Sequence, residues 1–209
     1  MSKKILAIGG AVIKTAHDEL REIIERDEVE MLIHNGGSVF HDFQRVTEKL
    51  DSHSYPIDEL MKDYSCLESA SNLVWDWVAG GDAPSNSVTR ICDDKKIPVL
   101  LFTGYACDFW QMYGEIEEWE MLASNTFQNF EDLIKRFKKP FHYICMGSAV
   151  IHPEVFIKAI AAAKPKKFKA DVVDFLDMYR PKTRIAKYGN YHKMEHKKYL
   201  VHWLKGIKK

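Results

Sequence analysis

Lys4-Ile5-Leu6-Ala7-Ile8-Gly9-Gly10 decides how this chain is read: an uncharged apolar run goes straight into a glycine pair. The pattern returns as Met31-Leu32-Ile33 before His34-Asn35-Gly36-Gly37, and as Tyr143-Ile144-Cys145-Met146 before Gly147-Ser148. A fourth run, Pro98-Val99-Leu100-Leu101-Phe102, ends in Thr103-Gly104 without a pair. Buried parallel strands read as continuous apolar runs, and helices cross over between them. Glycine just past such a strand permits a sharp turn and a close approach to a ligand. Open sheets of this kind bind ligands beyond the carboxyl ends of their strands. The expectation is an α/β chain with a doubly wound, mainly parallel sheet, helices on both faces, and a nucleotide or similar ligand at the strand ends.

Outward from these runs, strands are expected at 4–8, 29–33, 97–102 and 141–146, with a last one at 170–176. Helices fall where apolar residues share one face. They are 18–26, 38–50, 57–78 (one helix or two), a short one ending at Asp93, part of 104–122, 129–137, 154–163 and 192–209. Ser85 or Asn86 would cap the short helix, and Pro153 would sit at the start of the one beside it. Asp51-Ser52-His53-Ser54-Tyr55-Pro56 reads as a loop, with Pro56 suited to a first helical turn. No repeat or linker divides the 209 residues, so 1–209 is read as a single domain. Trp75, Trp77, Phe109, Trp110, Tyr113 and Trp119 exceed what one modest domain easily buries. Some of them are expected in a homo-oligomer interface.

Lys+Arg and Asp+Glu stand at 30 each, so no global field favours nucleic acid or an anionic membrane. The distribution is uneven: the chain is basic from Lys164 onward and acidic from Glu115 to Glu120. Such faces either solvate or meet across a subunit contact. The four cysteines show no C-x-x-C, which argues against a disulfide framework or a zinc ribbon. With no apolar stretch of about 20 residues and no signal-type h-region, the reading is cytoplasmic, without a membrane span.

Three clusters could carry chemistry. Gly36 and Gly37 are surrounded by His34, Asn35, Ser38, His41 and Asp42, and the N–H groups of the turn and the following helix would suit a phosphate. Gly147 and Ser148 lead to His152 and Glu154, which either reach a ligand or cap the helix and complement its dipole. Asp108, in the loop after the Pro98 run, could bind a ribose or an ammonium, or act as acid or base. Cys107 beside it lacks an adjacent base in the sequence. His192-Lys193-Met194-Glu195-His196 has the H-x-x-E-H spacing of a zinc site, but no third acidic ligand follows it, and no metal is expected.

On these residues the chain resembles a distant, shortened deoxyhypusine synthase. The similar stretches are the unit from Ile5 through Val29-Glu30-Met31-Leu32-Ile33 to Gly36-Gly37 and Asp42; Lys96-Ile97-Pro98-Val99 leading to Asp108; Met146-Gly147-Ser148-Ala149-Val150-Ile151-His152; and Lys169-Ala170-Asp171-Val172-Val173. The resemblance implies a Rossmann-like fold that binds NAD and a homo-oligomer, on the family's pattern a tetramer. It places Gly9, Gly10, Gly36, Gly37, Asp42, Gly147 and Ser148 at the cofactor, with Asp108, His152 and Glu154 as the catalytic set. The family's reaction runs through an imine on a lysine in a Trp-Gly-Lys context. Here Lys187-Tyr188-Gly189-Asn190 puts Asn190 at that place, with Lys187 and Lys193 as the nearest amines.

Three functions follow. The first is an NAD-dependent transferase or oxidoreductase acting on an amine-containing or anionic small substrate. The second is a nucleotide-binding or interaction protein that keeps the fold without the lysine chemistry. The third is a metal-dependent hydrolase using His34, His41, Asp42 and Asp108.

Overall fold

The computed structural model describes residues 3–48 and 64–206. The readings at Pro56 and in the 51–56 loop lie outside the described residues. Six strands form one parallel sheet in the order β3-β2-β1-β4-β5-β6. They are β1 (Lys4–Ile8), β2 (Val29–Asn35), β3 (Val99–Phe102), β4 (Phe141–Met146), β5 (Phe168–Asp174) and β6 (Tyr191–Lys193). This is the strand order of dinucleotide-binding doubly wound folds, with its reversal between β1 and β4. The chain has a Rossmann-like α/β fold.

The strands alternate side chains between two apolar layers, as a sheet buried on both faces requires. Ile5, Ile33, Tyr143 and Val172 face α5 (Ile116–Phe137) and α6 (Ile151–Ala163), where Phe137 and Phe156 lie fully buried. Leu6, Ile8, Leu32 and Ile144 face α1 (Gly10–Glu25), α4 (Val88–Asp94) and α8 (His196–Leu204). A third layer packs α2 (Gly36–Glu48) against α3 (Tyr64–Val78) around Phe43, Trp75 and Trp110.

Several boundaries differ from the sequence reading. Helix α1 starts at Gly10 rather than near 18, with a non-helical residue at Ala16 (φ −147°, ψ 31°). Helix α2 begins at Gly36 itself, so both glycines of that pair are helical. Ser87, not Ser85 or Asn86, caps α4 by accepting from the Arg90 N–H. The stretch 192–209 is not one helix: Tyr191–Lys193 pairs with β5, and α8 starts only at His196. Backbone pairing with β5 outweighs the helical spacing there. A short helix α7 (Tyr179–Arg184) fills 179–184.

The aromatic expectation is corrected for two of its six residues, Trp75 and Trp110. Trp110 is fully buried and Trp75 nearly so, their rings edge to face at 4.7 Å. The Trp75 indole donates to the Trp110 carbonyl, and the Trp110 indole to the Gly36 carbonyl. These rings glue α3 and the 109–113 turn to α2 and are not available to a partner.

Candidate functional site at the carboxyl edge

The glycine turns meet at the carboxyl edge, and at four of them packing within the chain itself leaves no room for a side chain. Gly9 donates its N–H to the Met146 carbonyl at 2.8 Å, and a Cβ on Gly9 would overlap the Gly147 carbonyl. Gly147 is left-handed (φ 64°), and a Cβ there would lie 3.1 Å from the His196 ring and 3.2 Å from Val12. A Cβ on Gly36 would overlap the Asp108 carboxylate, and one on Gly10 would come within 2.8 Å of His41. At all four positions the chain's own atoms fill the space a side chain would need. The β1, β2 and β4 turns therefore dock on one another around the reversal point. Gly37 differs: a Cβ there would meet Asn35 and Asp108 only at 3.7 Å, and its φ is not positive.

Behind the α2 turn lies a buried polar chain. His34 Nδ1 lies 2.8 Å from Ser38 Oγ, and His34 Nε2 lies 3.1 Å from Thr89 Oγ1. Thr89 donates its hydroxyl to Asp42 at 2.8 Å. Asp42 also accepts the N–H groups of Val88 and Thr89 at 2.9 and 3.0 Å. A carboxylate holding the first amides of a helix is a cap with full charge assistance. Since Thr89 spends its proton on the anion, His34 carries its own on Nε2, and Ser38 supplies Nδ1. Burial pushes the His34 pKa down to about 4, against the pull of Asp42. Asp42, expected at the cofactor, is fully buried and gives both carboxylate oxygens to the start of α4.

In front of the turn is a cleft of about 230 Å³ between α1, α2 and the 103–113 segment. Lys14, Gly37, His41, Gln44, Cys107 and Asp108 supply its polar lining. Asp108 accepts the Thr103 hydroxyl at 2.6 Å. Burial raises the Asp108 pKa, and Thr103 partly opposes that shift. Burial lowers the Lys14 pKa. His41 falls to about 4, through burial first and the Lys14 charge second, with Gln44 opposing. The cleft therefore holds a carboxyl whose ionisation burial opposes, a neutral imidazole and the Lys14 ammonium. Lys14 was missed in the sequence. It stands one helical turn after Gly10, a signal hidden because the helix was expected to begin later.

The structure does not bring the remaining expected residues into this cleft. His152 is fully buried at the start of α6, and its pKa is lowered to about 4 by burial, against the pull of the His34 backbone. It does not cap α6: Val150 is the cap residue, and the Ser148 hydroxyl receives the His152 N–H at 3.4 Å. Glu154 points outward to Arg184, Lys158 and Arg180, at 2.8, 3.2 and 3.3 Å. Asn190 lies just ahead of β6, level with the middle of β5, and gives both its backbone N–H and its amide to Asp171. Burial alone would raise the Asp171 carboxyl, but His142, Lys169 and Asn190 hold it well below the usual carboxylate range. Lys187 sits over the Tyr188 ring at 4.8 Å. Of the H-x-x-E-H stretch, His192 is on β6 with its ring tilted against Tyr199, whereas His196 opens α8. Among the described residues no three His, Cys, Asp or Glu side chains converge as a metal site, and no helix is long and apolar enough to cross a membrane.

No family model matches this chain, nor does any curated protein. Solved structures do. The chain is similar to AgrE, determined as a ternary complex with ornithine and NAD+, at TM-score 0.66 and 14% identity over 99% of this chain and 30% of that one. A LOR/SDH-type protein from Methanococcus maripaludis S2 matches at TM-score 0.66 and 13% identity, over 99% and 60% of the two chains. A protein assigned as a deoxyhypusine synthase from Entamoeba histolytica matches at TM-score 0.58 and 10% identity, over 100% and 76%. What they share with this chain is the fold. The chain spans about 30% of the length of AgrE.

Proposed function

We propose that this chain binds a nucleotide of the NAD class at its carboxyl edge and uses it in a deoxyhypusine-synthase-like transfer or oxidoreduction on a small amine-containing or anionic substrate. The observation that carries this reading is the strand order reversing at β1, with the Lys14–His41–Asp108 cleft beside the reversal. AgrE, a protein of like fold, holds NAD+ in its ternary complex.

The residues fit part of such a ligand. A cleft of about 230 Å³ is below the roughly 300–1,000 Å³ of pockets that enclose a drug-sized molecule. It takes one end of a dinucleotide, and the rest lies along the open edge. The N–H groups of the first α2 turn and the Lys14 amine suit a phosphate. The β2 end carries Asn35 where dinucleotide folds place a ribose-binding acid, and its Oδ1 already accepts from the Ser38 N–H at 2.8 Å. Bound NAD would supply a hydride acceptor. Asp108 would donate a proton or hydrogen bond to a substrate heteroatom, and neutral His41 would accept one.

Calorimetric titration with NAD tests the reading. Wild type should bind, and Lys14→Gln should bind more weakly with an unchanged melting temperature. A wild type that releases no heat and shows no melting shift defeats it. The non-catalytic alternative also has a specific observation in its favour: Asn190, at the place of the family's lysine, serves Asp171 away from the edge. If NAD binds but no reduced nicotinamide forms with any polyamine or amino acid tested, that alternative stands.

A further inference from the structure

Over the whole chain the charges balance, but along the sheet they do not. The loops that lead into β4 and β5 hold Lys138, Lys139, Lys164, Lys166 and Lys167, all exposed. No acid occurs between Asp132 and Glu154, or between Glu154 and Asp171. Among the described residues none of these five lysines forms an ion pair within the chain. Acids on and before the neighbouring strands are already engaged: Glu30 by Arg136, Asp171 by Lys169 and His142, Asp27 by Lys3.

Two features hold these lysines in place. Each loop carries a proline, Pro140 or Pro165, which fixes the backbone. Each then enters its strand through a phenylalanine, and Phe141 and Phe168 stack at 5.2 Å, in register on adjacent strands. Phe137, at the end of α5, closes the stack on Phe141 at 4.2 Å. Neighbouring strands run about 4.8 Å apart, so the two loops form one shelf at the amino edge of the sheet. The ordinary use of such lysines is to offset helix dipoles, and Lys138 and Lys164 do follow the ends of α5 and α6. Two helix ends carry about one negative charge between them, which leaves roughly four of the five lysines uncompensated.

We propose that this shelf binds the phosphate backbone of duplex nucleic acid without reading its sequence. Lysine supplies point charges that match phosphates, not the bidentate fork used on base edges. The large exposed apolar residues, Tyr105, Phe127 and Phe175 among them, lie off the shelf. It therefore offers nothing to stack unpaired bases or to enter a bilayer. A duplex carries one charge per about 1.7 Å of its axis, dense enough to engage all these lysines together. The shelf lies a strand length, roughly 20 Å, from the carboxyl edge. The Lys14–Asp108 cleft stays open while a duplex is bound, and the inference is independent of what that cleft takes.

Fluorescence anisotropy of a labelled DNA duplex of about 24 base pairs, titrated with the full chain at about 30 to 200 mM salt, tests this. The logarithm of the binding constant should fall against the logarithm of salt with a slope of about −3.6, four charges at about 0.9 each. Lys138→Gln with Lys139→Gln, or Lys166→Gln with Lys167→Gln, should each reduce that slope by about 1–2. Arg180→Gln with Lys182→Gln removes as much charge beyond the end of β5 and should leave the slope unchanged. Melting curves confirm that each variant folds. Vesicles of about 30% phosphatidylserine should bind at least tenfold more weakly than the duplex, because no apolar group accompanies the charges. A wild type that does not bind at the lowest salt, a slope near zero, a control pair that lowers the slope as much as a shelf pair, or a preference for vesicles overturns the proposal.

Discussion

The β1–β3 half and the β4–β6 half of the sheet use polar residues at different heights along the strands. In the first half, His34, Asp42 and Thr89 brace the carboxyl edge, and His41 and Asp108 line a cleft there. In the second, the corresponding investment lies below that edge, at mid-strand, where Asp171 gathers His142, Lys169 and Asn190. Both are satisfied networks around a carboxylate. The first is sealed from solvent behind the cleft, whereas the second reaches the surface through Lys169 and His142, so burial and hydrogen bonding by themselves do not mark a site.

The sharpest test of that division uses the glycines. Gly9→Ala would force a methyl into the Gly147 carbonyl and should cost about 4 kcal/mol or more in urea unfolding, because backbone must move. Gly37→Ala should change stability by no more than about 1 kcal/mol, and in the stabilising direction, since its Cβ has room and the site is helical. If Gly37→Ala weakens ligand binding while leaving the fold intact, the first turn of α2 lies at the ligand.

Acid should expose the next largest effect. His34 and His152 are fully buried with pKa values near 4, below the ordinary 6.5. The unfolded chain binds protons first, so their stability contribution is complete above about pH 6.5 and is lost as pH falls toward 4. The loss is on the order of 3 kcal/mol for each ring. A melting temperature flat from pH 7 to pH 4 contradicts this.

Asp42→Ala removes the charged cap of α4 and should cost about 2–3 kcal/mol. Asp171→Asn should destabilise as well, yet leave nucleotide binding untouched. Equal binding losses from Asp171→Asn and Lys14→Gln would break the contrast between the halves. Smallest of all, Glu154→Gln should leave the melting temperature nearly unchanged, because Lys158 and Arg180 are solvent-exposed and Arg184 partly so.

The sheet was largely legible because β1 and β4 are apolar runs with clean glycine ends, and their bounds match the reading. Strand β6 was not: Tyr191-His192-Lys193 has no apolar run, and only backbone pairing with β5 makes it a strand. The glycines were visible, whereas their purpose depended on what packs against each Cα. Asp108 was named from its loop position and does reach the cleft. Asp42 was named from proximity to Gly37, but its partners are 46 and 47 residues away in sequence, beyond any local pattern. Lys14 was lost with the first two turns of α1.

The central position of β1 has a consequence for synthesis. It pairs on one side with β2, made soon afterwards, and on the other with β4, made much later. After Phe102 the ribosome must add about 40 residues before β4 is complete, roughly 2–8 s at ordinary elongation rates. Throughout that interval the nascent chain presents a bare, uncharged strand edge, Ile5-Leu6-Ala7-Ile8, with nothing to discourage pairing with a neighbour. Slowed translation between codons 103 and 146 should lower the soluble yield more than the same delay placed after β4, and a chaperone that shields nascent chains should recover it.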